Sequence, residues 1–298
     1  MNQRVAKKIL IAVMAITSIV PYSRAIELPD FVSTNAIAHY PDLHSKRTHF
    51  FLKQSGIQVL NTFKTIYKSS RSKPAGNNQI PKIIHQIWLG SELPVKYHHF
   101  QDLLKKFHPT WQYKLWRDAD IAEFKLVNQA AYNEAINFGE KSDIARYEIL
   151  EREGGIYFDT DVQCLQPFDF LTERYDFFAA LEPLPKNSMT CLSLANAIIG
   201  SRPGHPLLKE CIKQIKNPPI ATAGWHPILK TVVKTGPVLL TRAAYQHRNS
   251  LLNKGMILPS ECFTPANSNS VNKNDSYRFC IHHWDHSWMK KALNSLEV

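Results

Sequence analysis

Gly154-Gly155-Ile156-Tyr157-Phe158-Asp159-Thr160-Asp161 is the stretch on which the fold turns. Two glycines permit a tight turn, three bulky apolar residues make a short buried strand, and two carboxylates follow at its end. In extended backbone, residues i and i+2 point to the same side, so Asp159 and Asp161 project together beyond the sheet edge. Paired carboxylates repel unless a cation lies beside them, and a hard divalent ion, Mn²⁺ or Mg²⁺, is the natural partner. Asp-x-Asp alone also ends many strands as a plain polar turn, so the flanking sequence has to discriminate.

Upstream, residues 120–153 have a helical texture. Ser142-Asp143-Ile144-Ala145-Arg146-Tyr147 reads as the start of the last helix, with Ser142 as N-cap and Gly154-Gly155 as the stop. Asp143 and Arg146 are three residues apart and share a helical face. Such a pair is either a surface ion pair or a device that reads sugar hydroxyls. Further back, Ile83-Ile84-His85-Gln86-Ile87-Trp88-Leu89 follows Pro81 as a first buried strand. Trp88 at its end suits either the core or stacking on a nucleobase. A helix over about 94–107, a strand at 113–116 and a cap at Asp118 come next.

Downstream, strands are expected at 177–181, 196–199, 256–258 and 278–282, and helices at 205–214 and 237–246. Alternating strands and helices from residue 80 onward indicate an α/β sheet with its ligand at the strands' carboxyl ends. The late block His282-His283-Trp284-Asp285-His286-Ser287-Trp288 could complete a metal shell and cover a ligand, or form an exposed aromatic tail.

The whole chain has 298 residues, 44% of them hydrophobic and 20% charged, which suits a folded core and excludes a low-complexity chain. The formal charge of +11 fits an anionic ligand or membrane surface. Nucleic acid is disfavoured because the basic residues form no stripe with interleaved aromatics. Residues 1–25 are laid out as an export signal: a basic start, an apolar run over 9–20, and Ser23-Arg24-Ala25 as the cleavage site. The twelve-residue run is short for a membrane anchor. Residues 26–79 read as an accessory helical segment, with Phe50, Leu52, Ile57, Leu60, Phe63, Ile66 and Tyr67 at near-helical spacing, ending in a polar linker. The five cysteines (Cys164, Cys191, Cys211, Cys262, Cys280) contain no CxxC pair, which disfavours zinc. A bridge between Cys262 and Cys280 is open on sequence grounds.

Six blocks occur in one order: residues 80–90 around Trp88, Trp111-Gln112-Tyr113-Lys114-Leu115-Trp116, Ser142–Tyr147, Gly154–Asp161, Thr235-Gly236-Pro237, and His283 with Ser287-Trp288. Together they resemble the sugar-nucleotide glycosyltransferases of family 32 with a DXD motif, over residues 80–290. That family includes α-1,6-mannosyltransferases, inositol-phosphoceramide mannosyltransferases and the glucosylating domains of clostridial toxins. The resemblance implies a GT-A fold, a Rossmann-like mixed sheet, over 80–298 and a retaining transfer of mannose or glucose. It also implies a nucleotide-sugar donor (GDP-mannose or a UDP-hexose), a glycan, glycolipid or protein acceptor, and Mn²⁺ or Mg²⁺. It assigns Trp88 to the donor base, Asp143 and Arg146 to the donor sugar, and Tyr157 and Asp159 to ribose and sugar. Asp161 becomes the direct metal ligand. His283 and Ser287 join Asp161 at the metal and close over the diphosphate, with Trp288 at the leaving group.

Two other readings compete. A haloacid-dehalogenase-type phosphatase also uses Asp-x-Asp after a strand, but it continues with Thr or Val where Gln163 stands here. A non-catalytic sugar-nucleotide-binding relative is the other, although every catalytic-looking position is filled. An export signal on a sugar-nucleotide enzyme implies either a secreted bacterial protein that meets its donor in a host, or a protein of a Golgi or ER lumen, free or type II anchored.

Overall fold

The computed structural model describes residues 26, 28, 29, 54–76, 80–183, 192–264, 275–285 and 287–289. The export-signal reading of residues 1–25, the apolar positions Phe50 and Leu52, Cys191 and His286 lie outside them. Helix α1 (Gln54–Ser70) is followed by β1 (Ile83–Ile87), a 3₁₀ turn (Val95–Tyr97), α2 (His98–Phe107) and β2 (Gln112–Trp116). Helices α3 (Asp118–Phe124), α4 (Gln129–Glu134) and α5 (Phe138–Glu153) lead to β3 (Gly155–Phe158) and β4 (Val162–Cys164). Then come α6 (Asp169–Thr172), β5 (Phe177–Ala180), β6 (Ile198–Ser201) and α7 (Pro206–Lys216). Helices α8 (Pro227–Lys234), α9 (Pro237–Gln246) and α10 (Arg248–Lys254) precede β7 (Gly255–Leu258) and β8 (Cys280–His282).

Six strands form one sheet in the order β2-β1-β3-β6-β5-β7. Strands β2, β1 and β3 pair in parallel, β6 runs antiparallel to both β3 and β5, and β5 pairs in parallel with β7. The carboxyl ends of β1, β3 and β5, together with the loop that enters β6, therefore lie along one edge, where an α/β sheet binds its ligand. This is the mixed α/β sheet expected from the sequence. The strand expected at 278–282 is shortened to β8 and belongs elsewhere: it pairs antiparallel with β4, just past Asp161, in a separate two-stranded sheet.

The strands are apolar on both faces because helices cover both. Every residue of β3, β5, β6 and β7 is buried. Helix α1 packs on β7 and α10 with Phe63, Ile66 and Tyr67 fully buried, so it joins the same core as the sheet. The crossing between β1 and β3 is fixed by His85. The Trp116 indole N–H donates to His85 Nδ1 at 3.0 Å, so the Nε2–H donates to the Gly154 carbonyl at 2.9 Å. Burial holds this imidazole neutral by pushing its pKa down to about 4. Gly155, at φ +98°, approaches so closely that a Cβ there would lie 2.6 Å from the Ile83 carbonyl oxygen.

Helix α5 begins four residues before the expected cap. Asn137, not Ser142, is the N-cap: its side-chain oxygen accepts the Glu140 N–H at 2.8 Å. Ser142 sits inside the helix, where its carbonyl accepts from Arg146 Nε. Asp118 likewise lies just inside α3, and its carboxylate accepts the Gly90 N–H at 2.7 Å across the chain. Cys164, Cys211, Cys262 and Cys280 are free, buried thiols, so Cys262 and Cys280 are not bridged; across the small sheet Cys280 faces Cys164.

Candidate active site

At the carboxyl edge of the sheet a cavity of about 300 Å³ opens, lined by residues from β1, α5, β3, the loop into β6, α9 and the C-terminal strap. Asp143, Arg146, Tyr157, Asp159 and Asp161 all line it, as do Trp88, Ser287 and Trp288. Eight of the nine residues singled out from sequence thus meet in one place; His283 is the exception.

Arg146 organises the site. From α5 its Nη2 reaches Asp143 Oδ1 at 3.1 Å, and its Nη1 donates to Asp159 Oδ1 at 3.1 Å and to the Asn196 carbonyl at 2.7 Å. Its guanidinium also lies over the Tyr157 ring, 4.3 Å from the centroid. The i,i+3 spacing read from sequence is therefore no surface pair: the Arg146 and Asp143 side chains are only 5% and 7% exposed. Asp143 Oδ1 also accepts from Asn196 Nδ2 at 2.8 Å, and Oδ2 from the Thr235 hydroxyl at 2.9 Å. Burial raises the Asp143 pKa to about 6, against the pull of Arg146 and those hydrogen bonds.

Asp159 leaves β3 with its N–H bonded to the Ala197 carbonyl, and its Oδ1 accepts the Tyr157 hydroxyl at 2.7 Å. Asp161 turns towards the C-terminal strap, where its Oδ2 accepts the Asp285 N–H at 2.8 Å. The imidazole that meets both carboxylates is His282: its Nε2 lies 3.2 Å from Asp161 Oδ1 and 3.8 Å from Asp159 Oδ2. His283 is directed elsewhere. Neighbouring residues at a strand end face opposite sides, so with His282 turned inward, His283 turns out to solvent. It meets Gln163 Oε1 at 3.2 Å and stacks on Phe100 with ring centroids 5.0 Å apart.

Asp159, Asp161 and His282 each offer a ligand atom within 4.8 Å of the others. Two hard oxygen donors and one imidazole suit Mn²⁺ or Mg²⁺. The pKa shifts agree with a site in need of a cation. Burial opposes ionisation of Asp161, but His282 and the Asp285 N–H bring it down to about 2. Burial likewise opposes a charged His282, yet Asp161 and Asp159 raise its pKa above the ordinary value. The buried Nδ1 of His282 has no hydrogen-bond partner among the described residues.

The strap over this cluster is pinned at several points. Asp285 bonds to Lys96 and to the Tyr97 hydroxyl, and Trp284, at φ +54°, lies with its ring centroid 4.3 Å from that of His282. Trp288 packs against Gly139, where a Cβ would come within 2.7 Å of the indole. Trp88 is half-buried, with its indole N–H shared between Ser91 Oγ and the Glu92 carbonyl, both at 3.1 Å. Asn196 and Glu182 also line the cavity, and sequence reading missed both. No local pattern marks them, since each reaches the site only through the pairing of β5 with β6.

Comparison with known proteins fits this geometry. Residues 94–178 match the family described as glycosyltransferase sugar-binding region containing DXD motif. Inositol phosphoceramide mannosyltransferase 3 of Schizosaccharomyces pombe is 32% identical over 167 residues, covering 54% of this chain and 44% of that protein. An uncharacterized glycosyltransferase of Acanthamoeba polyphaga mimivirus is 35% identical over 144 residues, 46% of this chain and 55% of that protein. The matched stretch spans about half the length of these relatives. Among solved structures, the PaToxG glycosyltransferase superposes with a TM-score of 0.46 at 21% identity, covering 67% of this chain and 81% of that one.

Proposed function

We propose that the protein, whose residues 94–178 match the DXD-containing glycosyltransferase sugar-binding region, is a metal-dependent, retaining glycosyltransferase of GT-A type. It moves mannose or glucose from GDP-mannose or a UDP-hexose to a hydroxyl of a glycan, glycolipid or protein. The observation that carries this reading is the convergence of Asp143, Arg146, Asp159, Asp161 and His282 on one cavity at the sheet's carboxyl edge. The reading includes export through residues 1–25, as a secreted protein or into a Golgi or ER lumen. It also includes contact with an anionic membrane surface, which the net charge of +11 favours.

Each residue has a physical role in this account. Trp88 stacks on the donor base at the cavity mouth. Asp143 accepts a sugar hydroxyl on the lone-pair capacity that Thr235, Asn196 and Arg146 leave free. Arg146 holds Asp143 and Asp159 in register, and Tyr157 fixes the Asp159 rotamer. Trp284, Ser287 and Trp288 exclude water from the diphosphate side. Asp159, Asp161 and His282 would hold Mn²⁺ or Mg²⁺, which when bound offsets the charge that develops on the departing diphosphate. The C1–O bond breaks with its electron pair going to the diphosphate, and the acceptor oxygen bonds to C1 on the same face. The acceptor proton leaves with the diphosphate oxygen. Asp143, already bonded through both oxygens, orients the sugar and is not required as a nucleophile.

The test is donor hydrolysis measured with UDP-glucose, UDP-galactose, UDP-N-acetylglucosamine and GDP-mannose, with Mn²⁺ and then with EDTA. Metal-dependent turnover of one of them is expected; no turnover of any, or full turnover in EDTA, contradicts the reading. Two narrower results follow. Trp88→Ala should weaken nucleotide binding by about 1–3 kcal/mol, the range for stacking on a base, with little change in melting temperature. A collapsed melting temperature with unchanged affinity would make Trp88 a core residue instead. Because Asp143 must be charged to accept a hydroxyl proton, kcat/KM for the donor should fall as pH drops through about 6. A profile flat from pH 7.5 to 5 would remove Asp143 from donor recognition.

A further inference from the structure

Glu182 is a cavity residue without a role in the account above. It stands just past β5, beside the isolated bridge between Leu181 and Leu194 that prolongs the β5–β6 pairing. Its N–H donates to the Ser193 carbonyl at 2.8 Å, and the Ser193 hydroxyl donates to its Oε2. The second oxygen, Oε1, has no hydrogen-bond partner among the described residues, and no Lys or Arg pairs with the carboxylate there. Glu182 lines the same cavity as Asp143, Asp161 and His282.

The chemistry of that position is selective. A carboxylate that no Lys or Arg pairs among the described residues is a poor contact for a diphosphate, so this part of the wall does not serve the donor's anionic portion. It does suit an uncharged ligand rich in hydroxyls, since an ionised carboxylate offers only hydrogen-bond acceptors. Anchoring by Ser193 restricts the rotamer, as positioning a nucleophilic hydroxyl requires. We propose that the cavity wall at Glu182 is the acceptor subsite, where Glu182 takes a hydrogen bond from one hydroxyl of a polyol or sugar and turns a neighbouring hydroxyl towards C1 of the donor. The assignment rests on the transferase reading above. Glu182 takes no proton from the reaction.

The test separates transfer to a polyol from transfer to water. With the donor that the parent hydrolyses best and with Mn²⁺ present, glycerol, myo-inositol and methyl α-mannoside are supplied at high concentration. Glycosylated product and free sugar are then quantified for the parent, Glu182→Gln and Glu182→Ala. The ratio of transfer to hydrolysis should fall at least tenfold in Glu182→Ala and by less in Glu182→Gln, with the polyol KM rising more than the donor KM. An unchanged ratio overturns the assignment, as does hydrolysis falling in step with transfer, which would make Glu182 a donor-side or purely structural group. A parent that hydrolyses donor but glycosylates none of the three polyols also overturns it. A parent that cleaves no donor fails the transferase reading itself, and this assignment falls with it.

Discussion

Arg146→Ala is expected to abolish donor turnover and to destabilise the fold by about 3–5 kcal/mol, the range for removing one partner of a buried ion pair. The guanidinium is the common partner of Asp143 and Asp159, and it also satisfies the Asn196 carbonyl. Without it, Asp143 is a buried carboxylate with no cation, and Asp159 loses the bond that aims it at His282. The deficit should depend on pH in a definite direction. A carboxyl whose folded pKa is raised contributes stability below its unfolded value and loses it as pH rises through the folded value. Asp143 already sits near 6 with Arg146 present, and removing the cation raises it further. The variant should therefore be most destabilised near neutrality and recover in part towards pH 5. Chemical denaturation at the two pH values measures this. Equal stability of variant and parent at pH 7.5 would mean that the buried triad is not what holds α5 against β3.

The second large effect is at Asp161. Asp161→Asn keeps the shape and removes the charge, and donor turnover should fall by more than the roughly 10–100-fold that losing an outer partner of a metal ligand costs. Asp159→Asn should be nearly as damaging, because its Oδ2 completes the cluster while its Oδ1 is tied to Arg146 and Tyr157. Rates are to be compared at saturating Mn²⁺ and at low Mn²⁺. If Asp161 acts through the metal, the loss should be worse at low metal. A uniform small loss at both would assign Asp161 to the structure of the strap, through its bond with the Asp285 N–H.

Much of this site is legible in sequence because its parts are local. The Gly154–Asp161 stretch encodes the turn, strand and paired carboxylates in eight residues, and the i,i+3 spacing of Asp143 and Arg146 already places them together. Thr235, quoted only as part of a block, gains its meaning from the bond to Asp143. What sequence did not supply depends on tertiary register. The choice between His282 and His283 rests on which one faces inward once β8 pairs with β4, with His282 opposite Val162. A one-residue shift there turns the other imidazole towards Asp159 and Asp161. Ser142 is a good cap by residue type, yet the N-cap of α5 is Asn137, which holds the Glu140 N–H, while Gly139 leaves room for Trp288. Helices α4, α8 and α10 are six to eight residues long, too short for a reliable apolar period.

The most direct measurement is Mn²⁺ binding itself, by calorimetry at pH 7.5, for the parent, Asp161→Asn, His282→Ala and His283→Ala. The account predicts one site in the parent, lost in Asp161→Asn, weakened at least about tenfold in His282→Ala and unchanged in His283→Ala, with proton release on binding because His282 must be neutral to coordinate. A parent that binds no Mn²⁺, or a site that survives His282→Ala and fails in His283→Ala, would contradict it.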